Sequence, residues 1–308
     1  MDIGLFIGTI GSAGTLEGQI QQIVDAEEDD FDSFWVAHIM DLDVMSMIGI
    51  AAQRTDRIRM GTAVTPTFLR HPIAMAQQAI TIQAAAQGRF VLGMGVSHKP
   101  VVESRFGLEF EKPAQHMREY LQIVKSLATY GRVDYQGEIH TAMSQFTSQE
   151  RPNLPIVVAA LGDLMLRNAG ELADGTITWM VGSETIRTHI APKICKVALD
   201  SGKSKPKIIV AVPVCVTDNK ERAIVQASKY FGRYGELPSY RAMIDLEKVE
   251  TPAELAVIGN EQEVEEALRL YAKSGATEIA AQIFPEITDG NESVMRTRSL
   301  LRRLVGQI

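Results

Sequence analysis

The stretch from Gly88 to Pro100, GRFVLGMGVSHKP, places small and polar residues directly after a short apolar run. Phe90 to Leu92 are bulky and apolar behind a turn signal, which suits a strand covered on both faces. Beyond them stand Gly93, Gly95 and Ser97. Small residues at a strand end let a ligand approach the backbone, and free N–H groups in such a turn can hold an anion, phosphate first among them. The same two glycines would equally relieve crowding in a packed sheet. His98 stands where a dinucleotide fingerprint needs its third glycine, and no GKS or GKT phosphate loop occurs. The six histidines show no HxH or HxxxH pairing, so a metal centre is not indicated. Cys195 and Cys215 lack CxxC spacing, which leaves buried free thiols as the expectation.

Holding such a turn in place requires a scaffold, and the hydrophobic periodicity supplies one. Strands are predicted over Ile3–Ile7, Ser33–Ala37, Ile58–Thr65, from Phe90, and over Pro155–Ala160, Gly175–Met180, Lys207–Val216 and Thr277–Phe284. Helices are predicted between them, starting near Thr15, Asp43, Pro72, Pro113, Leu164, Ser183, Asn219, Asn260 and Asn291. Ser183 reads as a helix cap, Pro192 should divide that helix, and Asn260 with Glu263 forms a capping-box pattern. Val133–His140 resembles a hairpin around Gln136-Gly137, and the region up to Glu250 reads as irregular or helical. Eight strands alternating with helices, with no linker between them, predict one (β/α)8 TIM barrel with short insertions over residues 1–308, in preference to an open doubly wound sheet.

Composition narrows the partners. A net charge of -7 argues against a nucleic-acid surface, and the cluster Arg296, Arg298, Arg302 and Arg303 reads as a solvated helix face. The N-terminal residues enter a strand pattern without a basic leader, and no apolar run approaches the ~18 residues of a membrane span, so the cytoplasm is the expected location. The acidic run Glu27 to Asp30 is expected to face solvent.

In such a barrel the ligand site lies at the C-terminal ends of the strands. That rim gathers Gly8, His38, Ala63 to Thr65, Val96 to His98, Ala160 to Gly162, Trp179, Met180 and Gly182, and it is mostly apolar. Facing carboxylates of the kind glycosidases need are scarce there. A broad apolar mouth with backbone donors suits a flat, phosphate-bearing cofactor that carries the chemistry itself.

Gly61-Thr-Ala-Val-Thr-Pro66, Arg70-His-Pro72 and Gly88-Arg-Phe-Val-Leu-Gly-Met-Gly-Val-Ser-His98 together resemble the luciferase-like monooxygenase superfamily. The continuation to Glu103 and His116-Met-Arg-Glu-Tyr-Leu121 resemble its deazaflavin branch, which uses coenzyme F420. The resemblance spans nearly the whole chain. It implies a non-proline cis peptide at Ala63–Val64 backing the deazaflavin ring. It also implies a phosphate or tail site formed by Val96, Ser97 and His98 with Ala159, Ala160, Leu161 and Gly162. Leu161 replaces the first of two successive glycines in the family pattern, and Ala37 stands where relatives carry an Asp before the histidine. His38 becomes the candidate catalytic acid or base for the proton that accompanies hydride transfer, with a structural histidine as the alternative. Trp179 and Met180 would wall the cofactor or substrate or else pack as ordinary core, and Gly182 beside the Ser183 helix start offers a second anion position. The activity implied is hydride transfer between F420 and a small-molecule substrate. An FMN-dependent monooxygenase and a non-catalytic cofactor carrier or sensor are the rivals. Apolar stripes on the second and third helices, together with the resemblance, point to a homodimer.

Overall fold

The computed structural model describes residues 1–8, 10, 14–39, 42–148, 150, 152–289 and 291–308. Eight parallel strands carry the fold: β1 (Asp2–Ile7), β2 (Ser33–Val36), β3 (Arg59–Thr62), β4 (Phe90–Gly95), β5 (Ile156–Ala159), β6 (Gly175–Trp179), β7 (Lys207–Val216) and β8 (Glu278–Ile283). Each pairs with the next in the chain, and β8 returns to β1, so the sheet closes. Around it lie α1 (Leu16–Glu28), α2 (Val44–Ala51), α3 (Pro72–Ala85), α4 (Pro113–Tyr130), α5 (Asp163–Leu172), α6 (Ala191–Asp200), α7 (Lys220–Phe231), α8 (Pro238–Glu247), α9 (Glu261–Lys273) and α10 (Glu292–Leu304). The chain is a (β/α)8 TIM barrel. No helix among the described residues is long and apolar enough to cross a membrane.

Strand alternation divides the core in two. Leu5, Ile7, Phe34 and Val36 point outward beneath the helices, whereas Phe6, Trp35, Val157, Ile177, Ile209, Ala211 and Ala280 fill the barrel. Trp35 occupies so much of the interior that a methyl carbon built on Gly61 would lie 2.2 Å from its ring. At the N-terminal end of the strands the interior is polar and paired. The buried Glu278 carboxylate accepts from Ser33 Oγ, from Trp35 Nε1 at 2.6 Å and from Arg59 Nη2 at 3.3 Å, and Arg59 also donates to Asp2 at 2.8 Å. Burial raises the Glu278 pKa above the usual carboxylate value, although Arg59, Ser33 and Trp35 oppose the shift.

Several sequence expectations are corrected in detail. The third strand is not continuous over Ile58–Thr65: β3 ends at Thr62, a cis Ala63–Val64 peptide follows, and a two-residue strand, Thr65–Pro66, resumes against β4. Gly182, not Ser183, is the N-cap residue of its helix, which passes through a π turn at Ile186–Ile190 before Pro192. Glu27 does not simply face solvent; its carboxylate accepts from the backbone of Asp56 at 3.0 Å, Arg57 at 2.6 Å and Ile58 at 2.8 Å, tying α1 to the approach to β3. Of the arginine cluster, Arg302 and Arg303 are exposed as expected, whereas Arg296 pairs with Glu261 and Asp218, and Arg298 pairs with Asp29. The capping box at Asn260 and Glu263 forms as the spacing predicts. The hairpin pairs Arg132–Gln136 with Thr141–Gln145, and Glu119 of α4 holds its turn through the backbone N–H groups of Glu138, Ile139 and His140.

Candidate active site

Because all eight strands run parallel, their C-terminal ends share one mouth, and its lining is small where the strands emerge: Gly8, Ala37, Ala63, Gly95 and Ala159. Phe6 forms part of its floor, with the Trp179 ring packed edge-on at 5.2 Å. The insertion after α7 leans over this floor. Tyr234 lies 5.9 Å from Trp179 and 5.0 Å from Tyr240, and Tyr240 lies 5.7 Å from His98. His98, Tyr240, Tyr234 and Trp179 therefore make one aromatic arc from β4 to β6.

The opposite wall is built by the bulge after β3. Thr62 Oγ1 donates to the Gly93 carbonyl at 2.7 Å and accepts from its N–H at 2.9 Å. A methyl carbon on Gly93 would fall 1.8 Å from the Thr62 carbonyl oxygen; on Gly95 it would fall 2.5 Å from Val64 Cγ2 and 3.3 Å from Ala159 Cβ. Crowding between β3 and β4 accounts for both glycines, so of the two sequence readings it is the packing one that the geometry supports. The next residues remain available to a ligand: Val96, Ser97 and His98 are half-buried, and Ser97 adopts a left-handed backbone with φ 62°. Such a conformation costs a non-glycine residue about 1–2 kcal/mol and persists where the surroundings fix it. Met180 is similar at φ 52° but wholly buried.

At the end of β5 and in the turn after it, Ala159 and Leu161 are half-buried, Ala160 is buried and Gly162 is exposed at the N-cap of α5. His189 Nε2 lies 2.7 Å from the Leu161 carbonyl oxygen, which anchors the turn from outside. Gly182 is a different case. Its turn is closed by the chain's own Glu247, whose carboxylate accepts from Glu184 N–H at 3.1 Å and Thr185 N–H at 2.7 Å, and whose Cδ would lie 2.0 Å from a methyl carbon on Gly182. The helix start expected to take an external anion already holds an internal one.

His38 stands just past β2 beside the Arg70–Asp43 ion pair. Burial, assisted by the Arg70 guanidinium and opposed by Asp43, lowers its pKa below the ordinary histidine value, so the ring is neutral at pH 7. Its Nδ1 is buried without a hydrogen-bond partner, and so are Trp179 Nε1 and Gln282 Oε1. Orphaned polar atoms of this kind cost about 1–3 kcal/mol each unless something satisfies them. A planar heteroaromatic group with carbonyl and N–H edges, lying among small side chains, fits these residues. Gln282, Tyr234, Tyr240 and Glu247 are absent from the sequence-derived site. Gln282 has a detectable signal: with Glu278 it is one of two polar residues in the inward parity Glu278, Ala280, Gln282, on a strand whose other residues are apolar. The tyrosines lie in a stretch without periodicity and have none.

Fold and mouth define an enzyme barrel with its chemistry at the C-terminal face of the sheet. Residues 1–278 match the luciferase-like monooxygenase family, and the chain belongs to it. A putative coenzyme F420-dependent oxidoreductase of Mycobacterium tuberculosis is 27% identical over 313 residues, covering 93% of this chain and 85% of that one. Among solved structures, an F420-dependent secondary alcohol dehydrogenase in complex with an F420-acetone adduct superposes with a TM-score of 0.80 at 17% identity, covering 97% of each chain. The FMN complex of the oxygenating constituent of 3,6-diketocamphane monooxygenase from Pseudomonas putida, a type II Baeyer-Villiger enzyme, superposes with a TM-score of 0.76 at 15% identity, covering 100% of this chain and 98% of that one.

Proposed function

We propose that this enzyme binds the deazaflavin coenzyme F420 in the barrel mouth and catalyses hydride transfer between it and a small organic substrate. The observation that carries the reading is the set of unpartnered polar atoms at the mouth, beside a histidine kept neutral by burial. The relative named as F420-dependent, similar over 93% of this chain, supports the choice of cofactor. Bound there, the deazaflavin would supply hydride-transfer chemistry at its C5 carbon.

The chain's own part is to hold, orient and exclude. Ala63 and Val64 would back one face of a bound ring, and the arc of Trp179, Tyr234 and Tyr240 would keep water from the site. Main-chain N–H groups at Val96–His98 and Ala159–Gly162 would hold its phosphate and tail. Neutral His38 takes the proton from a substrate hydroxyl as hydride leaves its carbon, and returns it in the reverse direction. The uncharged faces of α2 and α3 join two copies, and the enzyme works in the cytoplasm.

Titration of the purified protein with F420 and with FMN, followed by fluorescence quenching, tests the cofactor; turnover across alcohols, enones and imines tests the chemistry. Saturable F420 binding with substrate-dependent oxidation or reduction is expected. Tight FMN binding with none for F420 would replace the proposal with a flavin monooxygenase, and F420 binding without turnover would leave a carrier.

A further inference from the structure

Among the described residues, six buried side-chain polar atoms lack a hydrogen-bond partner: His38 Nδ1, Thr65 Oγ1, Thr178 Oγ1, Trp179 Nε1, Gln226 Oε1 and Gln282 Oε1. All but Gln226 belong to the C-terminal ends of barrel strands or the residues just beyond them. Trp179 Nε1 is a donor without an acceptor. Gln282 Oε1 is an acceptor without a donor, on a fully buried side chain whose Nε2 already donates to the Ile10 carbonyl at 3.2 Å.

The register places the two on the strands that flank β7. Trp179 pairs with Ala211 on β7, and Gln282 pairs with Pro213 on the same strand, two residues nearer the mouth. Both border the inner face of β1. Trp179 packs on Phe6, and a methyl carbon on Gly8, two residues later, would sit 2.6 Å from Gln282 Oε1. The absence of a side chain at Gly8 is what leaves room for the carboxamide.

We infer that Trp179 Nε1 and Gln282 Oε1 form a donor–acceptor pair that reads an adjacent carbonyl and N–H on one edge of a bound heterocycle, and that the edge is the pyrimidinedione of the cofactor ring. The indole N–H donates to a ring carbonyl, while the carboxamide oxygen accepts from the N3–H beside it. Gln282 is thereby a positioning residue that sets how deep and in which rotation the ring sits. The inference rests on the F420 reading for the identity of the ring, and on the orphaned pair alone for the edge it recognises.

N3-methyl F420 separates the two. Wild-type protein is expected to bind it 10- to 100-fold more weakly than F420 in fluorescence-quenching titrations, because the methyl group removes the donor and crowds Gln282. Gln282→Leu, checked for folding by its melting temperature, should bind F420 about tenfold more weakly and distinguish the two ligands less than threefold. Trp179→Phe keeps the ring on Phe6 and should weaken both ligands several-fold with the methylation penalty intact. A wild type indifferent to methylation, or a Gln282→Leu protein that keeps the full penalty, overturns the pair while leaving F420 binding standing. If wild type binds FMN and not F420, the cofactor reading fails. The same contrast with N3-methyl FMN, whose edge is identical, then decides the pair by the same criteria.

Discussion

Both tryptophans of this chain point into the barrel, one near each end, and the protein treats them oppositely. Trp35 donates its Nε1 proton to Glu278 at 2.6 Å and lies 3.0 Å from Ser33 Oγ, within a network that extends through Arg59 to Asp2. Trp179 buries the same atom with no partner, and His38 and Gln282 at the same end of the barrel also carry unpaired groups. An interior that satisfies its polar atoms at one end and leaves them open at the other has divided its labour. The N-terminal end of the strands holds the barrel together, and the C-terminal end waits for something that completes it.

The sharpest way to break this contrast is at Glu278. Glu278→Leu leaves Ser33, Trp35 and Arg59 without their shared acceptor inside the barrel, and should cost about 3–5 kcal/mol, the range for removing one partner of a buried charge network. Urea unfolding monitored by tryptophan fluorescence checks it, with a lowered midpoint and an unchanged slope expected. A loss under about 1 kcal/mol would show that this end is not the stabilising one.

At the mouth the expected losses fall on rate. His38→Gln should lower kcat/KM for alcohol oxidation about 100-fold, or about 2.7 kcal/mol of transition-state stabilisation, with stability changed by less than about 0.5 kcal/mol. The sign of the pH dependence follows from the lowered pKa. Since burial and Arg70 hold His38 below its ordinary value of 6.5, the base form is present at neutral pH. The oxidation rate should be level from neutrality upward and fall only as pH drops below 6.5 through the lowered pKa. His38→Gln should abolish that acid limb; a variant that retains it assigns the limb to another group.

How much of this was legible in the sequence depends on which physical signal each residue carries. The barrel was, because eight apolar runs alternate with helical periodicity and parallel strands buried on both faces leave continuous hydrophobic stretches. The mouth residues on β3, β4 and β5 were placed by strand order and resemblance, down to the cis bond at Ala63–Val64. Gly93 and Gly95 could be read either as ligand cradle or as packing relief, because a glycine looks the same in both roles and only the 1.8 Å and 2.5 Å clashes decide. Glu247 was invisible: its partners at Glu184 and Thr185 are more than sixty residues away, and nothing local announces that its carboxylate will cap that helix. Tyr234 and Tyr240 were missed for the same reason, their placement over Trp179 being set by how the insertion after α7 folds back.

The finest test sets the two tryptophans against each other. Trp35→Phe removes a hydrogen bond to a buried carboxylate and opens space above Gly61, so it should cost about 2–3 kcal/mol. Trp179→Phe removes no hydrogen bond and keeps an aromatic ring against Phe6 and Phe231, so its cost should stay near 1 kcal/mol. The difference of about 1–2 kcal/mol is small, but its response to ligand is diagnostic. With cofactor added, Trp179→Phe should gain less thermal protection than wild type, since the donor it lacks is used only in the complex, whereas Trp35→Phe should gain the full increment from its lower starting point. Equal increments in the two variants would mean that the unpaired indole N–H at the mouth has no ligand to meet, and the asymmetry between the ends of the barrel would then be one of packing alone.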